Sequence, residues 1–210
     1  MGKSALVLGA TGVVGRELVR ELCESSGYDE VEVWTRREIG FCRPKLRAQV
    51  IDFEGISDIA PHKFDEIFCA LGTTMKQAGS REAFLRVDVD YVYAAAKWGK
   101  QSVGARRFVL VSSSSVKESS LSFCLRAKEQ VERCASELGF EDFQIAHLPL
   151  ILGERSDARL LERLAVVLFK LLPARSVNLD RLAAQVSLAA SVIFSSKSYK
   201  NSLIFSLYFV

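Results

Sequence analysis

The sequence is poor in the residues that mark several functional classes. It has two histidines, His62 and His147, and five cysteines at positions 23, 42, 69, 124 and 134, no two of them in a C-x-x-C pair. That spacing excludes a zinc framework, so no metal site is expected. An odd number of scattered thiols argues against a disulfide scaffold and points to a reducing compartment. Charge of one sign is not in excess either. The net charge is +3, too little for a nucleic-acid or anionic-membrane surface. The most apolar stretches, LAVVLFKLLP (164–173) and LIFSLYFV (203–210), fall far short of the ~20 residues of a spanning helix. The second reads as a strand, as a surface for a protein partner, or as the mark of a shortened chain. Prolines number four and there is no repeat or low-complexity tract, so no linker is expected.

What is present is the pattern of one compact domain. Hydrophobic residues make up 49% of 210, enough for a substantial core. The start, MGKSALVLGATG, runs straight into a folded motif; no cleavable leader is expected before it, and the expected compartment is the cytosol. Apolar runs then alternate with helical spacings. SALVLG (4–9), VEVWT (31–35), RAQVIDF (47–53), DEIFCALG (65–72), RRFVLVSS (106–113) and FQIAHL (143–148) read as strands. Between them, 13–25, 80–99 and 120–138 read as helices. The second has an apolar stripe at Phe84, Val87, Tyr91, Ala95 and Trp98; the third has one at Cys124, Ala127, Val131, Cys134 and Leu138. Near-continuous apolar strands alternating with helices predict an α/β fold: a Rossmann-like doubly wound parallel sheet with helices on both faces. The expected division is a nucleotide-binding domain over 1–155 and a small, mostly helical C-terminal region over 156–210 packed on the same domain. Ligands of such sheets bind beyond the carboxyl ends of the strands, and the chemistry-bearing residues cluster there.

Gly9-Ala-Thr-Gly12-Val-Val-Gly15 is a G-x-x-G-x-x-G run between a buried strand and a helix. In that context glycine lets backbone approach a pyrophosphate, and the helix N–H groups face the anion. After the second strand, Thr35-Arg36-Arg37 carries no acidic residue for a ribose 2′-hydroxyl. Two guanidiniums suit a 2′-phosphate, so NADP(H) is the expected cofactor; the bland alternative is a pair of solvated arginines. Asp52 is placed to meet an adenine amino group, with Phe53 alongside. Gly72-Thr73-Thr74 gives backbone room beside the cofactor or is an ordinary turn.

The pieces GATGVVG (9–15), WTRR (34–37), VIDFE (50–54), CALGTTMKQAGS (69–80), FLRVDVDYV (84–92), FVLVSSSS (108–115), LRAKEQVE (125–132) and HLPLILGER (147–155) resemble the atypical short-chain dehydrogenase/reductases, and within them the Tat-interacting-protein group of oxidoreductase-like proteins. The resemblance covers about the first 155 residues. It implies that Gly9, Thr11, Gly12, Val13 and Val14 line the pyrophosphate, that Arg36 and Arg37 meet the adenosine phosphate, and that Asp52 and Phe53 meet the adenine. Leu71, Gly72 and Thr73 would run along the ribose, and Lys128 would hold the nicotinamide ribose. His147 and Leu150 depart from the family's Arg-Pro-Gly stretch. Members of this group also act through protein partners, so enzyme and regulator both stay open.

The family's Ser-Tyr-Lys set meets one gap here. Ser113, in preference to Ser112, fits the serine and Lys128 the lysine, but Cys124 occupies the tyrosine's place one helical turn before Lys128. A thiol stops short of a substrate oxygen that a phenol reaches. Three readings stand for Cys124: an inert core cysteine, a lost proton site, or a thiol made reactive by the nearby ammonium. His147 is a second candidate proton donor, and Asp88 is either turned inward or solvated. The expected function is an NADP(H)-binding oxidoreductase-like protein reducing a small carbonyl with an atypical site; the alternative is a catalytically weak nucleotide-binding regulator whose apolar C-terminal surface takes a protein partner.

Overall fold

A computed structural model describes residues 2–113 and 122–148. The chain starts with strand β1 (Lys3–Leu8), helix α1 (Val13–Glu24), β2 (Tyr28–Thr35) and β3 (Leu46–Val50). A 3₁₀ turn over Phe53–Asp58 leads to β4 (Glu66–Cys69). Short helices α2 (Met75–Ala78) and α3 (Arg81–Leu85) precede α4 (Tyr91–Trp98). β5 (Arg107–Ser113), α5 (Phe123–Ser136) and β6 (Asp142–Leu148) complete the described part. The six strands form one sheet in the order β3-β2-β1-β4-β5-β6, with every neighbour parallel. This is the doubly wound order expected from the alternation of apolar runs.

The middle of the sheet, β1, β2, β4 and β5, is buried at both parities, while the edge strand β3 is largely exposed. Leu6, Leu8, Trp34, Ile67, Cys69, Phe108 and Leu110 face one way and join residues of α4 and α5 in one core. Ala5, Val7, Val31, Val33, Phe68 and Val109 face the other and meet Leu18, Val19 and Leu22 of α1. Each fully buried Leu, Val or Phe adds about 1.5–3 kcal/mol.

Two details differ from the periodic reading. The segment expected as one helix over 80–99 contains π-helical turns at Arg86–Asp90 and Gly99–Val103 and ends at Gly104 in the left-handed region, φ 68°. The wide turn shifts the buried stripe, so Asp88 and Val92 are buried while Val87 and Tyr91 are half-buried. The third and fourth strands are also shorter than the apolar runs. β3 stops at Val50, and Asp52 caps the 3₁₀ turn by accepting from the Glu54 N–H at 3.0 Å. The chain from 149 onward, including the C-terminal region and its two apolar stretches, lies outside the described residues.

Candidate functional site

The strand order reverses direction at β1, which pairs with β2 on one edge and β4 on the other. A crevice opens beyond the carboxyl ends of β1 and β4 at such a point. The glycine loop and the Ala70–Thr73 turn lie there.

The three glycines of the loop have different reasons. Gly9 adopts φ 84°, and a Cβ on it would lie 2.3 Å from the Ala70 carbonyl oxygen. A Cβ on Gly15 would lie 2.2 Å from the Gly9 oxygen. Both are required by the fold. Gly12 is exposed, and among the described residues its Cβ would meet only the Gly9 oxygen, at 3.4 Å; they leave that side open. Gly12 caps α1 without any side-chain bond, and no acidic residue stands in the first turn. The leading N–H groups of α1 are therefore electropositive and not satisfied by a capping side chain, which fits a pyrophosphate. Thr11 is exposed, Val13 opens α1, and Val14 is half-buried.

Arg36 and Arg37 follow β2 and are exposed. The Thr35 hydroxyl donates to the Arg37 carbonyl at 2.7 Å and fixes the turn that carries them. Asp52 is exposed with one oxygen engaged as a cap. The Phe53 ring is buried and lies 5.6 Å from the Tyr91 ring.

Lys128 is the best-held polar group of the site. Its Nζ donates to Asp88 Oδ1 at 2.7 Å, and the Thr73 N–H donates to Asp88 Oδ2 at 2.8 Å. The Asp88 side chain is fully buried. Burial pushes its carboxyl up, against the opposing pull of the Lys128 ammonium and the Thr73 N–H. A Cβ at Gly72 would stand 3.6 Å from Asp88 Oδ1 and 3.9 Å from Lys128 Nζ. One carboxylate thus joins the turn after β4, the π turn and α5 around Gly72. Leu71 packs on the core beside them. Cys69, fully buried beneath, has its thiol pushed up to about 12 by burial.

Cys124 is half-buried and packs against the core on the α5 side. Ser112 shares the parity of Phe108 and Leu110, facing α5, and its hydroxyl donates to Glu132. Ser113 has the opposite parity; it is buried, and its hydroxyl has no hydrogen-bond partner among the described residues. Strand alternation therefore places Ser112, not Ser113, on the face that carries Cys124 and Lys128. Tyr91 is half-buried with its hydroxyl on Glu54, and Tyr93 is exposed. His147 contacts Glu132, a residue to which the periodic reading assigns no role. No cluster among the described residues could hold a metal ion, and no helix among them is long and apolar enough to cross a membrane.

A family model, the NAD dependent epimerase/dehydratase family, matches residues 5–131. The chain belongs to this family of atypical short-chain dehydrogenase/reductases. The epimerase/dehydratase match takes in the glycine loop, the turn after β4 and Lys128, and makes the chain an NAD(P)-binding Rossmann protein. Among curated relatives, Protein HTATIP2 of Rattus norvegicus is 34% identical over 81% of this chain and 72% of its own length. Protein FMP52, mitochondrial, of Meyerozyma guilliermondii is 36% identical over 72% of this chain and 66% of its own. The structure of MoeE5 in complex with UDP-glucose and NAD superposes with a TM-score of 0.58 at 26% identity, covering 77% of this chain and 59% of that one. A UDP-galactose 4-epimerase, 20% identical with a TM-score of 0.58, shares the fold. The chain spans about three-fifths to seven-tenths of the length of these relatives.

Proposed function

We propose that the chain is an NADP(H)-binding oxidoreductase-like protein that reduces a small carbonyl compound at a site lacking the usual tyrosine. The observation that carries this reading is the Asp88–Lys128 pair held against Gly72, on the same crevice as an uncapped glycine loop. A bound nicotinamide nucleotide supplies or accepts hydride. In this reading Gly9, Thr11, Gly12, Val13 and Val14 seat its pyrophosphate, and Arg36 and Arg37 take the 2′-phosphate by charge-assisted hydrogen bonds. Asp52 and the Phe53 backbone flank the adenine, Leu71, Gly72 and Thr73 follow the ribose, and Lys128 binds the nicotinamide ribose hydroxyls. A water beside Cys124 carries the proton that a phenol would carry elsewhere, because the shorter side chain leaves room for one.

A second reading rests on Cys124 packing against the core. With no donor at that position, the protein is a catalytically weak nucleotide binder that acts through a protein partner, with its apolar C-terminal stretch as the contact surface. Cytosol is the compartment we propose, on the strength of five free cysteines; a mitochondrial location, carried in the names of the FMP52 relatives, is the alternative that cell fractionation separates from it.

Calorimetric titration with NADPH and NADH tests the cofactor. NADPH is expected to bind at least about tenfold more tightly than NADH, and Arg36→Ala with Arg37→Ala to erase that difference. Equal affinities in the parent would overturn the NADP(H) assignment. Cys124→Tyr then separates the two readings: a gain in carbonyl reduction marks an otherwise complete catalytic site, and no gain with intact NADPH binding favours the regulator.

A further inference from the structure

Glu132 lies one helical turn beyond Lys128 on α5 and is 9% exposed. The Ser112 hydroxyl donates to its Oε1, and His147 Nε2 lies 3.2 Å from each of its carboxylate oxygens. Ser112 and His147 are cross-strand neighbours at the ends of β5 and β6. A single carboxylate of the helix therefore spans the carboxyl ends of two adjacent strands. The arrangement is not an activated serine. The hydroxyl gives its hydrogen bond to the carboxylate, and the imidazole sits on that same carboxylate and not on Ser112, so among the described residues no imidazole faces the hydroxyl as a nucleophile's base would. It is a tether, made of directional bonds to a charged group.

The rest of the α5 contact with the strands is apolar; its other directed contacts, Lys128 on Asp88 and Phe123 against Phe84, go to the π turn and α3 and not to a strand. Its fully inward residues are Ala127, Val131 and Ala135, small side chains that let the helix lie near the sheet but fix neither its height nor its rotation. We propose that Glu132 is a positioning residue of the cofactor site. By anchoring α5 to Ser112 and His147, it sets the height and rotation at which Lys128 meets Asp88 and the Gly72–Thr73 turn. This rests on the reading of Lys128 as a ligand of the nicotinamide ribose. It follows that Glu132 matters to the nicotinamide half of the nucleotide and not to the adenosine half, which the glycine loop and Arg36–Arg37 turn hold at a distance from α5.

Calorimetry on the full chain with NADPH, and with 2′,5′-ADP as the adenosine half alone, tests this. Glu132→Ala is expected to weaken NADPH on the order of tenfold while leaving 2′,5′-ADP within about twofold. His147→Gln and Ser112→Ala each weaken NADPH by a smaller factor, and His147→Arg, whose guanidinium donates to the carboxylate, recovers most of the loss seen with glutamine. Unchanged NADPH affinity in Glu132→Ala, even with a lower melting temperature, would make the residue a support of the fold alone and overturn the proposal. If Glu132→Ala does not fold, the Ser112→Ala/His147→Gln double variant decides by the same comparison. A parent that binds 2′,5′-ADP as tightly as NADPH refutes the Lys128 reading, and one that binds neither refutes the cofactor reading; both take this proposal with them. If the parent prefers NADH, NADH and ADP serve as the two probes.

Discussion

Tyr28 donates its hydroxyl to Glu66 Oε2 at 2.6 Å inside the sheet, and Lys3 Nζ meets Oε1 of the same carboxylate at 2.6 Å. Burial first, and the Glu66 carboxylate second, push the phenol well above its ordinary range. A folded-state value above the unfolded one means that the stabilisation is complete below the unfolded pKa of about 10 and is lost as pH rises beyond it. Tyr28→Phe is accordingly expected to cost about 1 kcal/mol at neutral pH and to flatten the loss of stability above about pH 10, as read by urea unfolding across that range. Parallel curves for parent and variant would remove Tyr28 from the alkaline transition. Single residues also show where the sequence is silent. Asp88 stays ambiguous in the linear pattern, inward or solvated, because a regular helix puts Val87 and Tyr91 on the apolar stripe; the π turn at Arg86–Asp90 rotates Asp88 inward instead. Glu132 is invisible for a different reason. It looks like a polar residue at the edge of an apolar face, and its role appears only once the register of β5 against β6 brings Ser112 and His147 side by side.

At the scale of the element, the strand–loop–helix unit from β1 to α1 is the part most legible in the sequence. Its glycines have local causes that a motif records, and the structure divides those causes between folding and access. Alanine at Gly15 would drive a Cβ to 2.2 Å from a backbone oxygen, whereas at Gly12 the nearest atom is 3.4 Å away. Gly15→Ala is therefore expected to cost at least about 2 kcal/mol or to prevent folding. Gly12→Ala should shift stability by less than about 1 kcal/mol yet weaken nucleotide binding by at least about tenfold, since its methyl group would project where backbone must meet pyrophosphate. Thermal melts paired with calorimetry check both; a Gly12→Ala variant that binds as the parent does would show that the ligand does not approach there. The serine strand is less legible. Its alternation gives Ser112 and Ser113 opposite faces, and no local pattern tells which of two adjacent serines ends a strand facing the helix.

Among the described residues, polar networks stand at both ends of the strands. Lys3, Tyr28, Glu66 and Arg107 gather at the amino ends, while the glycine loop, the Arg36–Arg37 turn and the Asp88–Lys128 pair gather at the carboxyl ends. Nucleotide binding is expected to slow amide hydrogen exchange in 9–15, 35–37 and 70–74 and to leave the amino-end network unchanged. Protection spread evenly over the sheet would instead indicate global stabilisation without a site at the crevice. This polarity follows from parallel strands joined by helices, and the alternation of apolar runs suffices to predict it; the boundaries of β3 and β4 do not follow, because Ile51 and Leu71 extend the apolar run into turns that pack on the same core. The strand order also sets a timetable for the growing polypeptide. β1 is made first but stands at the middle of the sheet, with β2 on one side and β4 on the other. While the ribosome is still adding residues before Glu66, β3, β2 and β1 can already assemble with the glycine loop attached, but the inner edge of β1 has no mate. For that interval the central strand, buried from Ala5 to Leu8 in the finished sheet, is an open edge, the form in which sheets join the wrong neighbour, and it closes only when β4 leaves the exit tunnel.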